Sequence, residues 1–213
     1  MNCDSVILAA GLGTRMKSRK TKVLHSLSEK PLIWWAVQSV RAATGRSPIV
    51  VIGPEDREVQ EVIGEDADCV EQVERLGTGH AVMQTMDRLR GKSDLVLVTL
   101  GDMPLLSKES LQELVQTQVK NQGALSLLTA HVSTSRGFGR ILRAEGGMIT
   151  GIIEEAHATP EQLAIKEVNV SAYCFRADWL WKHLPELPLS PKGEYYLTDV
   201  VGLAVADGSP IAW

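Results

Sequence analysis

Five basic side chains, Arg15, Lys17, Arg19, Lys20 and Lys22, fall between Ser5 and Ser28 with no acid among them, in a chain whose net charge is −4. They follow an apolar run at residues 6–10 that breaks at Gly11-Leu12-Gly13. Glycines let a backbone approach a ligand closely and turn its N–H groups inward, and a local excess of cations suits a chain of phosphates. Taken alone, the loop divides evenly between a phosphate cradle and a solvated basic loop. It is not a dinucleotide fingerprint, because Met16 stands where the third glycine belongs. A second candidate is Asp102, which follows the apolar run Leu95–Leu100 through Gly101. A carboxylate at a strand end needs a partner, and Mg²⁺ suits it, being held by one or two carboxylates plus phosphate oxygens. The plainer alternative is a turn cap or an ion pair with a basic neighbour.

These groups are useful only if the chain brings them to one end of a sheet. The patterning predicts strands at residues 6–10, 49–52, 68–72, 95–100 and 125–130. Helices are expected between them, from Pro31 to a stop at Gly45, over a charged stretch carrying Val59, Val62 and Ile63, from Gly77 to about 89, and from a Ser107 cap to about 121. Strand and helix alternating in this way predict a doubly wound, mostly parallel α/β sheet, a Rossmann-like arrangement in which ligands bind where strands end. After residue 130 the rhythm shortens to extended pieces at 139–143, 148–154 and 168–175, which read as a small antiparallel insertion beside the sheet. A helix is expected over 195–206 and a strand from Ile211, so the chain reads as one domain over 1–213, with its C-terminal end inside an element.

With 213 residues and 44% apolar side chains, the chain can bury a full α/β core. Its acidic balance argues against a broad grip on nucleic acid or an anionic membrane, and no run is long enough to span a bilayer. Cys3, Cys69 and Cys174 are odd in number and lack metal or redox spacing, which suits reduced thiols in the cytoplasm. The five histidines have no metal spacing, and the tryptophans lack the basic stripe of a base-stacking platform.

The segments VILAAGLGTRMKS and TKVLH, QVERLGTGHA, LGDMPLL, GFGR and EYYLTD resemble, in order, the signature of the sugar-nucleotide pyrophosphorylases. The likeness is strongest to the bacterial branch in which such a domain, joined to an acetyltransferase, makes UDP-N-acetylglucosamine from UTP and N-acetylglucosamine 1-phosphate. The resemblance implies uridylyl transfer with release of pyrophosphate. It assigns Arg15 and Lys22 to the phosphates, Asp102 to Mg²⁺, and Leu8, Ala9, Ala10, Gly11, Gly13 and Thr14 to nucleotide binding. Gln72, Gly77 and Thr78 would read uracil, whose N–H lies between two carbonyls and suits an amide offering both acceptor and donor. The alternative for Gly77-Thr78-Gly79 is a helix start with Thr78 as cap. Gly139, Glu154 and Asn169 would hold the sugar, the alternative being ordinary hydrogen bonding inside the insertion.

There are departures from the pattern. Thr21 replaces the usual proline before the lysine, Glu155-Ala156-His157 follows the glutamate, and Val170-Ser171 replaces Thr-Gly. The second metal ligand of the family, an asparagine, comes from a segment past residue 213. Expected partners are UTP and a sugar 1-phosphate, with a homo-oligomer expected if a C-terminal β-helix domain exists beyond this chain. Competing readings are another sugar-1-phosphate nucleotidylyltransferase of this fold and a non-catalytic nucleotide-sugar binder.

Overall fold

The computed structural model describes residues 1–18 and 20–213; Arg19 and the side chain of Arg15 lie outside the described residues. In chain order the first elements are β1 (Cys3–Leu8), the hairpin β2 (Ser26–Leu27) and β3 (Lys30–Pro31), α1 (Leu32–Thr44), β4 (Ile49–Ile52), α2 (Arg57–Ile63) and β5 (Asp68–Glu71). Then come α3 (Thr78–Met83), α4 (Met86–Leu89), β6 (Leu95–Leu100), α5 (Lys108–Lys120), β7 (Leu125–His131), β8 (Arg140–Arg143) and β9 (Ile149–Ile153). The last are α6 (Pro160–Leu163), β10 (Glu167–Arg176), α7 (Ala177–His183), α8 (Asp199–Ala206) and β11 (Ile211–Ala212).

The main sheet runs β11-β7-β10-β6-β1-β4-β5, and the pairs β1·β4, β1·β6, β4·β5 and β7·β11 are parallel. Alternation along each strand fills a core on both faces. Val6 and Leu8 of β1 and Val96 and Val98 of β6 pack with Val82, Leu180 and Val200. Ile7, Leu95 and Leu97 point the other way, against Ile33, Val37, Val40 and Leu111. Strands buried on both sides read as unbroken apolar runs, and this is why the parallel strands were visible in the sequence. The fold is the doubly wound, mostly parallel one expected. Among the described residues no helix is long and apolar enough to cross a membrane.

Three expectations are corrected. Residues 168–175 do not sit beside the sheet: β10 lies within it, antiparallel to both β6 and β7. Only β8 and β9 form the projecting hairpin, which β10 joins to the sheet through the pair Val168 and Arg140. The helix expected over 77–89 is two, because the buried Thr85 hydroxyl donates to the Val82 carbonyl, 2.8 Å away, where the chain turns from one into the other. Residues 195–198 are not helical. Tyr195 is hydrogen-bonded to the chain before and at the start of α3, donating to the Leu76 carbonyl and accepting from the Gly79 N–H, both at 2.8 Å, so α8 starts only at Asp199.

Candidate active site

The C-terminal ends of β1, β5 and β6 open onto a cleft of about 580 Å³. Among the expected residues, Leu8, Ala9, Ala10, Gly11, Gly13, Thr14, Lys22, Gln72, Gly77, Thr78, Asp102 and Glu154 all line it. Past β1, Ala9 and Ala10 are buried, and a 3₁₀ turn at Thr14–Met16 follows Gly13, which is left-handed at φ 59°. A Cβ on Gly13 would lie 2.6 Å from the Cβ of Lys22, so the loop and the lysine stem share space that only glycine leaves open. The next turn, Lys22–Leu24, is anchored by the buried Val23 and Leu24. Its lysine therefore leaves a fixed backbone. The Lys22 ammonium forms an ion pair with the Asp102 carboxylate, the two side chains being 36% and 18% exposed. The backbone of Arg15 belongs to the 3₁₀ turn; its side chain is the one expected catalytic group outside the described residues.

Thr21, the departure before Lys22, has a partner. Its hydroxyl donates to Asp56 Oδ1 at 3.0 Å, and Asp56 Oδ2 also accepts from the Gly53 N–H at 2.9 Å. Arg75 approaches the same carboxylate at 3.8 Å and donates from Nε to the Ala10 carbonyl at 2.9 Å. Asp56 thus ties the phosphate-side loop to the segment after β5. Sequence reasoning missed Arg75 and Asp56, since Arg75 meets Ala10 across 65 positions and no local pattern records that.

On the opposite side, Gln72 is 3% exposed and its amide nitrogen lies 3.0 Å from the Gly77 carbonyl, to which it donates, and 3.1 Å from His80 Nδ1. In the free chain its amide therefore presents oxygen to a ligand, not the acceptor and donor together that uracil complementarity suggests. Gly77 has φ 96°, and a Cβ there would meet the Tyr195 carbonyl oxygen at 2.6 Å. Thr78 does not cap α3: its Oγ1 accepts from the Leu197 N–H at 2.9 Å, leaving the hydroxyl proton for another acceptor.

The sugar-side residues separate. Glu154 lines the cleft and accepts from the Thr198 hydroxyl at 3.1 Å, and Glu194 and Tyr196 of the EYYLTD segment join it there. Gly139 and Asn169 are not among the cleft-lining residues. The Asn169 N–H donates to the Gly139 carbonyl at 2.9 Å, its amide nitrogen donates to Tyr173 Oη at 2.6 Å, and its oxygen accepts from the Ser171 N–H at 3.0 Å. Burial holds the Asp199 carboxyl above its ordinary range, and the charge of Glu154 adds to the effect.

Among the described residues no three His, Cys, Asp or Glu side chains converge on a metal position. One carboxylate facing a place already favourable to a cation, as the Lys22 contact at Asp102 shows, still fits Mg²⁺, which takes its remaining ligands from phosphate and water.

A family model described as the MobA-like NTP transferase domain matches residues 5–169. The bifunctional protein GlmU of Exiguobacterium sibiricum is 40% identical over 213 residues, covering 100% of this chain and 47% of that protein. GlmU of Trichlorobacter lovleyi is 42% identical over 206 residues, covering 95% of this chain and 45% of its own length. The chain spans about half the length of the curated relatives it matches. A crystal structure of UDP-glucose pyrophosphorylase complexed with UDP-glucose superposes with a TM-score of 0.76 at 20% identity, covering 100% of this chain and 90% of that one, so the fold is shared. The glycine-flanked loop after β1 and the carboxylate after β6 both lie within the matched span, and the chain belongs to the MobA-like NTP transferase domain family.

Proposed function

We propose that residues 1–213 form a nucleotidyltransferase domain that transfers uridylyl from UTP to N-acetylglucosamine 1-phosphate, releasing pyrophosphate. The observation that carries this reading is the meeting of Lys22 and Asp102 in a cleft that Gln72 also lines. The names of relatives that match over 95% or more of the chain support the substrate choice. A cytoplasmic setting suits the three free cysteines.

The reaction needs little covalent chemistry from the protein. A phosphate oxygen of the sugar 1-phosphate attacks the α-phosphorus in line, the bond from that phosphorus to the bridging oxygen breaks, and pyrophosphate leaves. Lys22 exchanges its carboxylate partner for phosphate oxygens and stabilises the charge that grows there, and the resemblance gives Arg15 the same task. The loop from Ala9 to Thr14 orients the phosphates with its backbone. Glu154, fixed by Thr198, is placed to accept from sugar hydroxyls. Mg²⁺ held by Asp102 would neutralise phosphate charge, as a Lewis acid does.

The test is pyrophosphate release over a panel of nucleoside triphosphates and sugar 1-phosphates with Mg²⁺. UTP with N-acetylglucosamine 1-phosphate should be the best pair, with CTP slower by about 5- to 150-fold, the worth of one mispaired buried amide. A faster rate with CTP or with a thymidylyl donor would replace the substrate assignment. UDP-sugar binding by calorimetry with no turnover of any pair would instead make the chain a binder.

A further inference from the structure

The orientation of Gln72 decides which base the cleft accepts, and that orientation is set from behind. We infer that His80 is a specificity-determining positioning residue that holds the Gln72 amide with its oxygen toward the base. The inference rests on the uridylyl reading and adds to it a residue that does not line the cleft.

An amide nitrogen has two hydrogens and an imidazole has, when neutral, one acceptor nitrogen. The Gly77 carbonyl, 3.0 Å from Gln72 Nε2, can only accept, so it fixes which end of the amide points inward. The second hydrogen of Nε2 then points to His80 Nδ1 at 3.1 Å, and that nitrogen must carry a lone pair. The proton of His80 therefore sits on Nε2. Gln84 competes for the ring, its amide nitrogen lying 3.2 Å from His80 Nε2 and donating to the His80 carbonyl at 3.0 Å. A neutral imidazole accepts from only one of the two amides, and half-buried Gln84 can give up that carbonyl for water and turn its oxygen to the Nε2 proton, whereas Gln72 is buried and cannot. The His80 ring is itself placed, stacked on Tyr195 with centroids 6.4 Å apart and planes at 26°, and Tyr195 is bound to the Gly79 N–H at 2.8 Å.

With both Nε2 hydrogens committed, Oε1 has no donor among the described residues and is not a buried orphan, so it serves the cleft. An oxygen accepts from the N3–H of uracil and repels the N3 lone pair of cytosine. Reading cytosine would require the amide to turn over, which would bring Oε1 against two acceptors, the Gly77 carbonyl and His80 Nδ1. Deleting the acceptor on His80 removes half of that barrier.

The experiment compares kcat/KM for UTP and CTP, each with N-acetylglucosamine 1-phosphate and Mg²⁺, in the wild-type chain, His80→Phe and His80→Asn. Phenylalanine keeps a ring against Tyr195 without nitrogens, and asparagine returns an acceptor near the position of Nδ1. The UTP-to-CTP ratio should fall about tenfold in His80→Phe, mostly through KM for UTP, and return to within about threefold in His80→Asn. In a Gln72→Ala background, His80→Phe should leave the ratio unchanged. A wild type that prefers UTP while His80→Phe keeps the same preference overturns the role of His80 and leaves the uridylyl reading standing. A wild type that does not prefer UTP overturns the uridylyl reading, and the specificity role with it. The contact itself is tested without substitution by ¹⁵N NMR of the imidazole. An acceptor-type Nδ1 with the proton on Nε2 is expected, and a protonated Nδ1 in the neutral ring overturns the inference whatever the kinetics.

Discussion

Gly13 and the stem of Lys22 lie so close that a Cβ on the glycine would come within 2.6 Å of the lysine Cβ. A methyl group on Gly13 would both sit in left-handed backbone and press on the lysine stem. Gly13→Ala should therefore cost about 1–2 kcal/mol of stability and lower kcat, because the ammonium moves off the phosphates. Thermal unfolding and steady-state rates check this together, and a variant destabilised yet unchanged in kcat would show that the stem has room to give. Lys22→Ala should lower kcat by about 10²–10³, the loss expected for one preorganised electrostatic contact, and rates within about threefold of wild type would remove it from the mechanism. At this scale the sequence was most informative where chemistry is local. Gly11, Gly13, Lys22 and Asp102 announce themselves by type and position. Asp56, Arg75 and His80 do not, because each acts through a contact that only the fold creates. Thr21 joins these: its φ of −51° is one proline adopts, and what it adds is the hydroxyl bound to Asp56.

Among the elements, β10 does the most to separate the sheet from the insertion. Its C-terminal half lies between β6 and β7, its N-terminal end meets β8, and the register shifts between Asn169 and Tyr173, where Ser171 takes φ 60°. Apolar patterning marks such a strand as buried but does not say which strands flank it, and so the piece at 168–175 was expected beside the sheet. The bulge also explains Asn169, whose amide is used on Ser171 and Tyr173. The N-terminal end of β10 is bracketed to β8 by Glu167, which accepts from Arg143 Nε at 2.7 Å and Nη2 at 2.6 Å. The Arg143 hydrogen bonds hold the Glu167 carboxyl below the usual glutamate range, outweighing the opposing effect of burial. A depressed folded-state pKa contributes stability above the unfolded value and loses it as pH falls through the folded one. Glu167→Gln should thus cost about 1–3 kcal/mol at pH 7, and the difference from wild type should shrink as the pH falls below the ordinary glutamate range and the native carboxyl also protonates. Urea unfolding at both pH values measures it, and an equal penalty at the two would mean that the bracket works by shape, not charge.

In the whole molecule, the cleft is assembled from segments far apart in sequence: the loop after β1, the turn after β5, the end of β6, Glu154 after β9, and Glu194 and Tyr196. The doubly wound core was legible because parallel strands buried on both faces read as apolar runs. The far wall was not, since residues 195–198 carry a helical pattern but form a bridge at Tyr195 and a turn after it, tied to Leu76, Thr78 and Gly79 more than a hundred positions away. What unites these segments is the claim that they enclose a triphosphate with its metal at Asp102. The most direct measurement is calorimetric titration of UTP into the wild-type chain and into Asp102→Asn, each with and without Mg²⁺. Mg²⁺ should tighten UTP binding to the wild type by at least about tenfold, and Asp102→Asn should bind UTP with no such gain while keeping its unfolding transition. An undiminished Mg²⁺ effect in Asp102→Asn would contradict the claim and place the metal elsewhere.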